Sequence, residues 1–440
     1  MVDAFRQSGE RLHAAEIRRG MALANANACL WAIGNGLIST LLVIYLAADL
    51  GATGVAISLI LAAPRFAGLL RLGVPALMAR VAARKMLSIA SYILSALILC
   101  AVPAAALLER RVSNGVAIGV LVAAWCCYHL AEFTGTVTLW SWLGDLTPRR
   151  VRGRMLGGRE YWLTAGRVGG LVVSGALASA WAWLLPQAPR WQPLALSAAA
   201  CAMMMLAAVV PLMLMPGLSR SPSAVPRTPW RALGRALIDP AYRRLLLFAF
   251  WFSIANGISA TAQEMYPIRV LDISYTIRQI LQGVMRTGQL AIAPWMGRMV
   301  DAWGNRPIMI LSQCMVATGP LFFFFATPDW RWLIGGAYIV WIAYAGLNVG
   351  LDNIKLKLAP AENNAPFVAV YHAIADFANG TTMLFGGWVL DHLGAKDPQA
   401  GPLYAELFVA GFVARVLVIP LLARLIEPGA RQLRELLHTS

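Results

Sequence analysis

Long apolar segments recur along the whole of this 440-residue chain, and at about 18 residues or more each can cross the hydrocarbon core of a bilayer as a helix. The mean hydropathy is +0.63 and only 13% of the residues are charged, whereas about a quarter are charged in a typical soluble domain. Within lipid, only α-helices and closed β-barrels satisfy their own backbone hydrogen bonds, and these segments lack the alternating pattern of barrel strands. The sequence therefore predicts an all-α integral membrane protein.

The apolar segments divide into twelve predicted transmembrane helices. Their approximate bounds are 22–48, 53–78, 86–108, 113–142, 157–184, 193–216, 244–267, 275–298, 307–326, 331–356, 365–390 and 403–425. The longest polar connection follows the sixth helix, and its many Pro and Ser residues are typical of a linker. We therefore predict an N-terminal segment, a six-helix bundle, a linker, a second six-helix bundle and a C-terminal tail, over residues 1–20, 21–216, 217–243, 244–426 and 427–440 respectively.

The net charge of the chain is +16, which on a soluble protein would suggest a nucleic-acid partner. Here the Arg and Lys residues concentrate at both termini and in the connections after the even-numbered helices, while the odd-numbered connections carry far fewer. Because basic connections stay on the cytoplasmic side of a membrane, this distribution predicts a multi-pass protein of the cell inner membrane with both termini in the cytoplasm. No nucleic-acid partner is expected.

A polar stretch, GRMVDAWGNRP at residues 297–307, interrupts two apolar segments. Its pattern G-x-x-x-D-x-x-G-N-R-P resembles the signature loop of the major facilitator superfamily, G-x-x-x-D-x-x-G-[RK]-[RK], with Asn305 in place of one basic residue. The corresponding loop of the first half is degraded, since Ala76, Arg80 and Ala83 stand where Gly, Asp and Gly are expected.

Two further segments, GDLTPRRVRGRMLGGRE at 144–160 and GGWVLDHLG at 386–394, resemble that superfamily's loop after the fourth helix and the end of its eleventh helix. With twelve helices and a central linker, the resemblance extends over nearly the whole chain. It implies two pseudo-symmetric six-helix bundles that move a solute across the membrane by alternating access.

Within the polar stretch, Gly297 allows two helices to approach closely, and Asp301 can accept hydrogen bonds from the free N–H groups that begin a neighbouring helix. The resemblance implies that this neighbour is the eleventh helix, near Ala365, and Arg306 can pair with Asp301 or Glu362. These contacts would act as a latch that forms when the cytoplasmic side closes. The predicted cytoplasmic gate comprises Asp145, Arg152, Gly297, Asp301, Gly304 and Arg306. The alternative is that Asp301 only caps a helix and that the basic residues only set the topology.

Polar side chains recur at helical spacing inside several predicted membrane segments. An ionisable side chain costs roughly 2.5–3.5 kcal/mol at the bilayer centre, so it should face protein or water. Aligning the loops after the second and eighth helices places Arg65 opposite Arg286 at matching depth. We therefore predict a hydrated central cavity that contains Asn35, Arg65, His129, Glu132, Arg167, Asn256, Gln263, Arg286, Gln289, Trp341 and Asn348.

The two matched arginines have two interpretations. Arg65 and Arg286 could bind an anionic group of a substrate, or they could neutralise the carboxylates of Glu132 and Asp376. Both carboxylates are candidate proton carriers, because a buried carboxyl group beside an arginine can exchange a proton near neutral pH. His372, one helical turn from Asp376, is a candidate for the same proton coupling, and an ordinary hydrogen-bonding role fits it equally well.

No motif indicates covalent chemistry. The sequence contains no phosphate-binding G-x-x-x-x-G-K-[ST] loop, no G-x-S-x-G nucleophile motif and no cysteine spacing typical of a metal site. We therefore expect no enzyme activity, no cofactor and no metal. The predicted function is secondary active transport of a small polar or anionic solute, coupled to protons, by a monomer in the lipid bilayer. The alternatives are an exporter of amphipathic compounds, a membrane sensor without transport activity and a lipid flippase.

Overall fold

The computed structural model describes residues 14–73, 84–108, 113–146, 152–216, 234–235, 237–359, 365–393, 401–425 and 427. Their regular secondary structure is entirely helical, and the principal helices number twelve, as predicted. Several of them consist of two or three consecutive segments. They are α1 (Ala14–Leu37 and Thr40–Asp49), α2 (Gly54–Gly68 and the 3₁₀ segment Leu69–Leu72), α3 (Arg84–Leu99 and Ala101–Leu108), α4 (Asn114–Leu146), α5 (Arg152–Leu184), α6 (Trp191–Ala207 and Val209–Leu214), α7 (Pro240–Gly257 and Ala260–Arg269), α8 (Tyr275–Trp303), α9 (Asn305–Ala317 and Gly319–Phe325), α10 (Leu333–Val340, the 3₁₀ segment Trp341–Ala343 and Tyr344–Leu358), α11 (Ala365–Leu393) and α12 (Gly401–Val416 and Val418–Ala423).

Nine of the twelve helices are long and apolar enough to cross a membrane on their own, counted over the described residues. The other three are α2, α8 and α11. Each of these carries a charged side chain inside its predicted span, at Arg65, Arg286 and Asp376 respectively. Of the three, α2 is apolar but its α-helical segment, Gly54–Gly68, is only 15 residues long.

The two halves, α1–α6 and α7–α12, share an apolar core at one end only. We call the end where α1 begins and α12 ends the terminal end, and the other the opposite end. At the opposite end a single apolar cluster includes residues of both halves, among them Leu42, Ile57, Tyr266 and Leu390. At the terminal end each half has its own cluster, around Trp142 in the first half and in the second around side chains of α7, α10 and α12. The molecule is therefore closed at the opposite end and divided at the terminal end.

Candidate functional site

A cavity of about 480 Å³ lies between the two halves. Its lining comes from α1, α3, α4, α5, α8 and α10, and Trp140 and Glu160, near the terminal end, are both exposed. The cavity is therefore accessible from the terminal end. The lining residues are Trp31, Tyr92, Thr136, Trp140, Arg159, Glu160, Leu163, Thr164, Arg167, Val168, Leu171, Arg286, Gln289, Leu290, Ala293, Ala345, Asn348 and Val349.

Three arginines line this cavity, Arg159 and Arg167 on α5 of the first half and Arg286 on α8 of the second. The charges of Arg167 and Arg65 both repel that of Arg286, so two further guanidinium groups lie within electrostatic range of Arg286. Among the described residues, no carboxylate lies within ion-pair distance of Arg167 or Arg286. The cavity therefore has an excess of positive charge near the middle of the molecule, where an anionic group could bind.

The orientation of Arg286 depends on a break in α10. The Arg286 Nη1 atom donates to the Oε1 atom of Gln289 at 3.2 Å. The Gln289 Nε2 atom donates in turn to the backbone carbonyl of Trp341 at 2.9 Å. Trp341 begins the 3₁₀ segment of α10, where the regular α-helical hydrogen-bond pattern is interrupted. Gln289 therefore holds Arg286 against a fixed backbone atom of the neighbouring helix.

Arg167 is placed by the close packing of α5 against α1. A Cβ atom at Gly166 would lie 2.6 Å from the carbonyl oxygen of Cys29, and one at Gly170 would overlap the carbonyl of Ile33. Both positions therefore require glycine, because the two backbones are in contact. Arg167 follows Gly166 directly and projects from this packed segment into the cavity.

Arg65 forms an ion pair with a buried carboxylate, which is one of the two interpretations that the sequence allowed. Its Nη1 atom lies 3.5 Å from the Oδ1 atom of Asp376, so the pair joins α2 to α11. The predicted alternative in which Arg286 neutralises Asp376 is wrong for this conformation, because Asp376 faces α2 and contacts the backbone at Gly68. One turn earlier on α11, the His372 Nε2 atom lies 3.4 Å from the Nζ atom of Lys355.

Glu132 lies beside the cavity wall rather than in it. Its Oε1 atom accepts a hydrogen bond from Thr136 at 2.9 Å, and the Thr136 hydroxyl also shares a hydrogen bond with the hydroxyl of Tyr92 at 2.9 Å. Tyr92 and Thr136 both line the cavity, and the positive charge of Arg167 acts on Glu132. The carboxyl group is therefore linked to the cavity through hydroxyl groups. Tyr92 belongs to α3 and Thr136 to α4.

Five further residues predicted for the cavity are not among the residues that line it in this conformation. The Asn35 side chain reaches the hydroxyl of Tyr128 at 3.5 Å, and His129 packs against the aromatic ring of Trp125 with centroids 4.5 Å apart. The other three lie in the second half: Asn256 accepts from the Tyr344 hydroxyl, Gln263 donates to Ser259, and the Trp341 ring packs against Phe323 and Tyr338. These side chains lie on helix faces that pack inside one half.

The opposite end is closed by hydrogen bonds between the halves. The Asp391 carboxylate, in the last turn of α11, accepts from the backbone N–H groups of Gly54 at 2.6 Å and Val55 at 2.8 Å, which begin α2. Thr53, at the N-cap position of α2, makes no side-chain cap of its own. The cap that α2 needs is therefore supplied by the other half of the chain.

Further contacts accompany this cap. Arg269 donates to the Ala52 carbonyl at 2.7 Å, and the Tyr45 hydroxyl donates to the Ile273 carbonyl at 2.6 Å. Ser174 shares a hydrogen bond with Tyr275 at 2.7 Å. Each of these contacts joins an element of the first half to one of the second, so together they form a continuous barrier.

The predicted gate at the terminal end is open. Asp301 is exposed and caps no helix of the described chain, and a Cβ atom at Gly297 would meet nothing within 4 Å. The predicted close approach at Gly297 and the cap on α11 are therefore absent from this conformation, because the halves are apart here. Gly304 has φ +94°, in the left-handed region that favours glycine, and it is the single residue between α8 and α9.

A different carboxylate caps the start of α9. Glu427, just beyond α12, accepts from the backbone N–H groups of Asn305 at 3.0 Å and Arg306 at 2.9 Å, and also from the Asn305 side chain. Lys357 forms an ion pair with it at 3.1 Å. The Arg306 guanidinium donates to the Ala423 carbonyl, and its pairing with Asp301 or Glu362 in the closed state stays a prediction.

Some predicted positions lie outside the described residues. They are the first-half loop with Ala76, Arg80 and Ala83, the loop residue Glu362, and the side chains of Asp145 and Arg152. Asp145 belongs to the last turn of α4, and Arg152 is the first residue of α5.

Comparison with known proteins identifies the fold. Residues 245–436 match the family model described as Major Facilitator Superfamily, whereas no curated protein matches the chain. The nucleoside transporter NupG, as a mutant, superposes with a TM-score of 0.68 at 13% identity, over 93% of this chain and all of its own. A bacterial homolog to the human lysosomal transporter Spinster, inward-facing and unoccupied, has a TM-score of 0.65 at 15% identity, over 94% and 97%. A D-xylose–proton symporter has a TM-score of 0.63 at 14% identity, over 91% and 97%.

These solved structures share the twelve-helix fold over almost the full length of the chain, and the family match falls on its second half. The resemblance first seen in the loop at 297–307 is confirmed by both. The second half of the chain matches the Major Facilitator Superfamily, and the chain as a whole is a multi-pass membrane protein with the fold of these solved transporters.

Proposed function

We propose that this protein is a secondary active transporter of a small organic anion. The observation that carries the proposal is the pair of cavity arginines, Arg167 and Arg286, which lie on the two halves with no carboxylate of the described chain within ion-pair distance of either. A bound anion would supply the missing negative charge and would contact both halves at once. Such a ligand can bias the relative position of the halves, which is the requirement for alternating access.

The rest of the cavity wall narrows the substrate class. Trp31 and Trp140 provide aromatic surface, and the side chains of Leu163, Leu171 and Leu290 provide aliphatic surface. A ligand that fills this space would therefore combine one anionic group with an apolar portion. The same surface supports the second candidate, export of amphipathic compounds, which differs in the direction of transport and not in the binding chemistry.

The direction of the opening follows from the charge distribution. We place the terminal end in the cytoplasm, because the basic connections and both termini lie there, and the chain in the inner membrane. The cavity then faces inward. The structurally similar Spinster homolog is described as inward-facing. In the outward-facing state the contacts around Asp391 would break, and the gate around Asp301 would close.

Proton coupling would use the carboxyl groups beside the cavity. Protonation of Asp376 would weaken its ion pair with Arg65 and release that guanidinium toward the other two arginines. Glu132 and His372 are further candidates, since the first is linked to the cavity through Thr136 and the second lies one turn from Asp376. One of the similar structures is described as a proton symporter.

Transport in proteoliposomes tests the proposal. A library of organic anions and their neutral amide analogues would first be screened by thermal stabilisation, and the hits would be tested for uptake with and without an imposed pH gradient. We expect anions to bind and amides not to bind. Arg167→Gln and Arg286→Gln should each weaken anion binding about tenfold to a hundredfold, as expected for loss of a charge-assisted hydrogen bond.

Arg424→Gln provides the control, because Arg424 is exposed at the end of α12, away from the cavity. Anion binding without uptake would indicate a sensor, and movement of labelled lipid instead of the anion would indicate a flippase. Equal binding of anions and amides would overturn the proposed role of the arginines. If the uptake rate at fixed membrane potential does not depend on the pH gradient, transport is not coupled to protons.

A further inference from the structure

A second cavity, of about 600 Å³, lies near the terminal end between α2, α7 and α11. Its lining is apolar except for one side chain, that of Arg243. Leu247 and Phe377, which line it from α7 and α11, are 57% and 54% exposed. The cavity is therefore a groove on the surface of the bundle, where a membrane-spanning chain meets lipid.

The groove has a direction. Arg243 lies in the first turn of α7, and Leu247 and Phe250 follow it at intervals of four and three residues on the same helical face. At a rise of 1.5 Å per residue, Phe250 lies about 10 Å deeper than Arg243. Ala373 and Phe377 line the facing side on α11. The charged group thus stands at the mouth of the groove, and the apolar walls continue toward the middle of the membrane.

We propose that this groove binds an anionic phospholipid. The lipid phosphate would pair with Arg243, and one acyl chain would occupy the apolar groove. Arg243 is exposed, and none of the described carboxylates lies within ion-pair distance of it, so its charge is available to a headgroup. The depth of the groove below Arg243 matches the arrangement of a phospholipid, in which the chain begins a few ångströms below the phosphate.

The groove lies where the two halves of the molecule contact each other. Leu69 belongs to α2 of the first half, whereas the other walls belong to α7 and α11 of the second. Leu69 lies one turn from Arg65, and Phe377 follows Asp376 directly, so the groove runs behind the ion pair that joins α2 to α11. Any movement of α2 against α11 must change the shape of the groove. Lipid occupancy should therefore depend on the conformation of the protein.

Photo-crosslinking tests the site on the full chain. The protein would be placed in phosphatidylcholine nanodiscs that contain a small fraction of phosphatidylglycerol with a photoreactive diazirine on its acyl chain, and labelled peptides would be identified by mass spectrometry. We expect labelling concentrated on the segments 246–250 and 370–377. Unlabelled phosphatidylglycerol should compete, and additional phosphatidylcholine should not.

Two variants separate the headgroup from the chain. Arg243→Gln should reduce labelling of these segments about fivefold, the effect expected for one basic residue at an anionic membrane surface. Arg244→Gln is the matched control, since Arg244 is equally exposed at the same depth but does not line the groove, and labelling should be unchanged. Ala373→Trp should fill the groove and displace the chain while Arg243 remains. Labelling that is uniform around the bundle, or equal in the Arg243 and Arg244 variants, would overturn the proposal and leave only annular lipid.

Discussion

The two ends of the molecule use the same chemical device in opposite states. At the opposite end, Asp391 in the last turn of α11 caps the first two N–H groups of α2. At the terminal end, Asp301 occupies a comparable place in the last turns of α8, and it is exposed and caps no helix of the described chain. A carboxylate of one helix and the free N–H groups of another form a strong contact only when the helices meet. The comparison suggests that each end is closed by one such contact, and that only one exists at a time.

The residues around the two carboxylates support this interpretation. Beside Asp391, the backbones of Gly54 and Gly387 touch, since a Cβ atom on Gly54 would lie 2.7 Å from the Gly387 carbonyl. Beside Asp301, Gly297 faces open space in the described structure. Both ends therefore have a glycine that permits close helix packing, and packing is realised at one of them.

The largest effect is expected from Asp391→Ala. The change removes the acceptor of two charge-assisted hydrogen bonds, which contribute about 1.5–3 kcal/mol each. Hydrogen bonds to water replace part of this free energy. The equilibrium between the closed and open states of the opposite end should therefore shift on the order of tenfold to a hundredfold toward the open state. Spin labels at Gln187 and Thr327, exposed on the two halves at that end, would report the change as a longer distance by double electron–electron resonance.

Asp329→Ala is the control for that experiment. Asp329 is exposed at the same end and has the same charge, but makes no contact between the halves among the described residues. An unchanged label distance in Asp391→Ala would mean that the cap on α2 does not hold the end closed.

Gly387→Ala should have the next largest effect. Its new methyl group would overlap the Gly54 carbonyl and the Ser58 side chain, and overpacking of this kind costs about 1–3 kcal/mol. We expect the same lengthening between labels as for Asp391→Ala, with an equilibrium shift of about tenfold. Gly297→Ala is the matched change at the terminal end and should leave this conformation undisturbed. Equal effects of the two substitutions would contradict the difference between the ends.

A smaller effect is expected from Asp301→Asn. Asp301 caps no helix here, so the change removes an interaction that exists only when the terminal end is closed. A charge at a helix terminus contributes about 0.3–1 kcal/mol, so the population open at the terminal end should rise about twofold to fivefold. The rate at which a cysteine at Ala293, in the cavity wall, reacts with a charged thiol reagent would measure this in a variant without the native cysteines. A rate equal to that of the parent would leave Asp301 without a role in the gate.

The smallest effect concerns the cap on α9. Burial tends to raise the pKa of Glu427, but hydrogen bonds from Asn305 and Arg306 and the ion pair with Lys357 outweigh burial and hold this pKa below the ordinary value of 4.5. A carboxyl group with a lowered pKa contributes stability that is complete above its ordinary pKa and is lost as the pH falls through the lowered one. Hydrogen exchange at the first turn of α9, corrected for the intrinsic rate, should therefore be constant from pH 7 to about pH 5 and increase below about pH 4.

Glu427→Gln should increase exchange in the first turn of α9 at pH 7 and remove this pH dependence. Asp239→Asn is a suitable comparison, because Asp239 caps α7 at the same end through the N–H of Tyr242 and should affect exchange in α7 alone. Exchange at α9 that rises already at pH 6 in the parent protein would contradict the lowered pKa.

The helices and the resemblance to the superfamily were predictable from the sequence because they depend on local properties. Apolar length predicts a spanning helix, and the spacing of Gly297, Asp301 and Gly304 is a short, contiguous pattern. The roles of individual polar residues were less predictable, because helical spacing identifies a polar face without identifying its neighbour. Arg167 and Gln289 point into the cavity as predicted, whereas Gln263 hydrogen-bonds within its own helix.

Partnerships between distant residues were not predictable. Asp391 belongs to a segment that resembles the superfamily pattern, but nothing in its neighbourhood indicates that it caps a helix more than three hundred residues earlier in the chain. Arg278 is similar. Its side chain is buried, with 1% exposure, and forms an ion pair with Glu264 at 2.5 Å. Neither residue was assigned a role from the sequence. Such pairs depend on the packing of whole helices, which a single sequence does not display.

The one-residue connection at Gly304 has a mechanical consequence. With 29 residues and a rise of 1.5 Å per residue, α8 is about 43 Å long. Pro294, between Arg286 and the end of the helix, removes one backbone hydrogen bond. Gly304 is the single residue between α8 and α9. A tilt of α8 caused by a ligand on Arg286 therefore has to be transmitted to α9. The start of α9 is tethered to Glu427 after α12 and, through Glu427, to Lys357 on α10. The second half should thus move as one unit with Arg286 near the middle of α8, so that a small displacement at the cavity becomes a larger one at the terminal end.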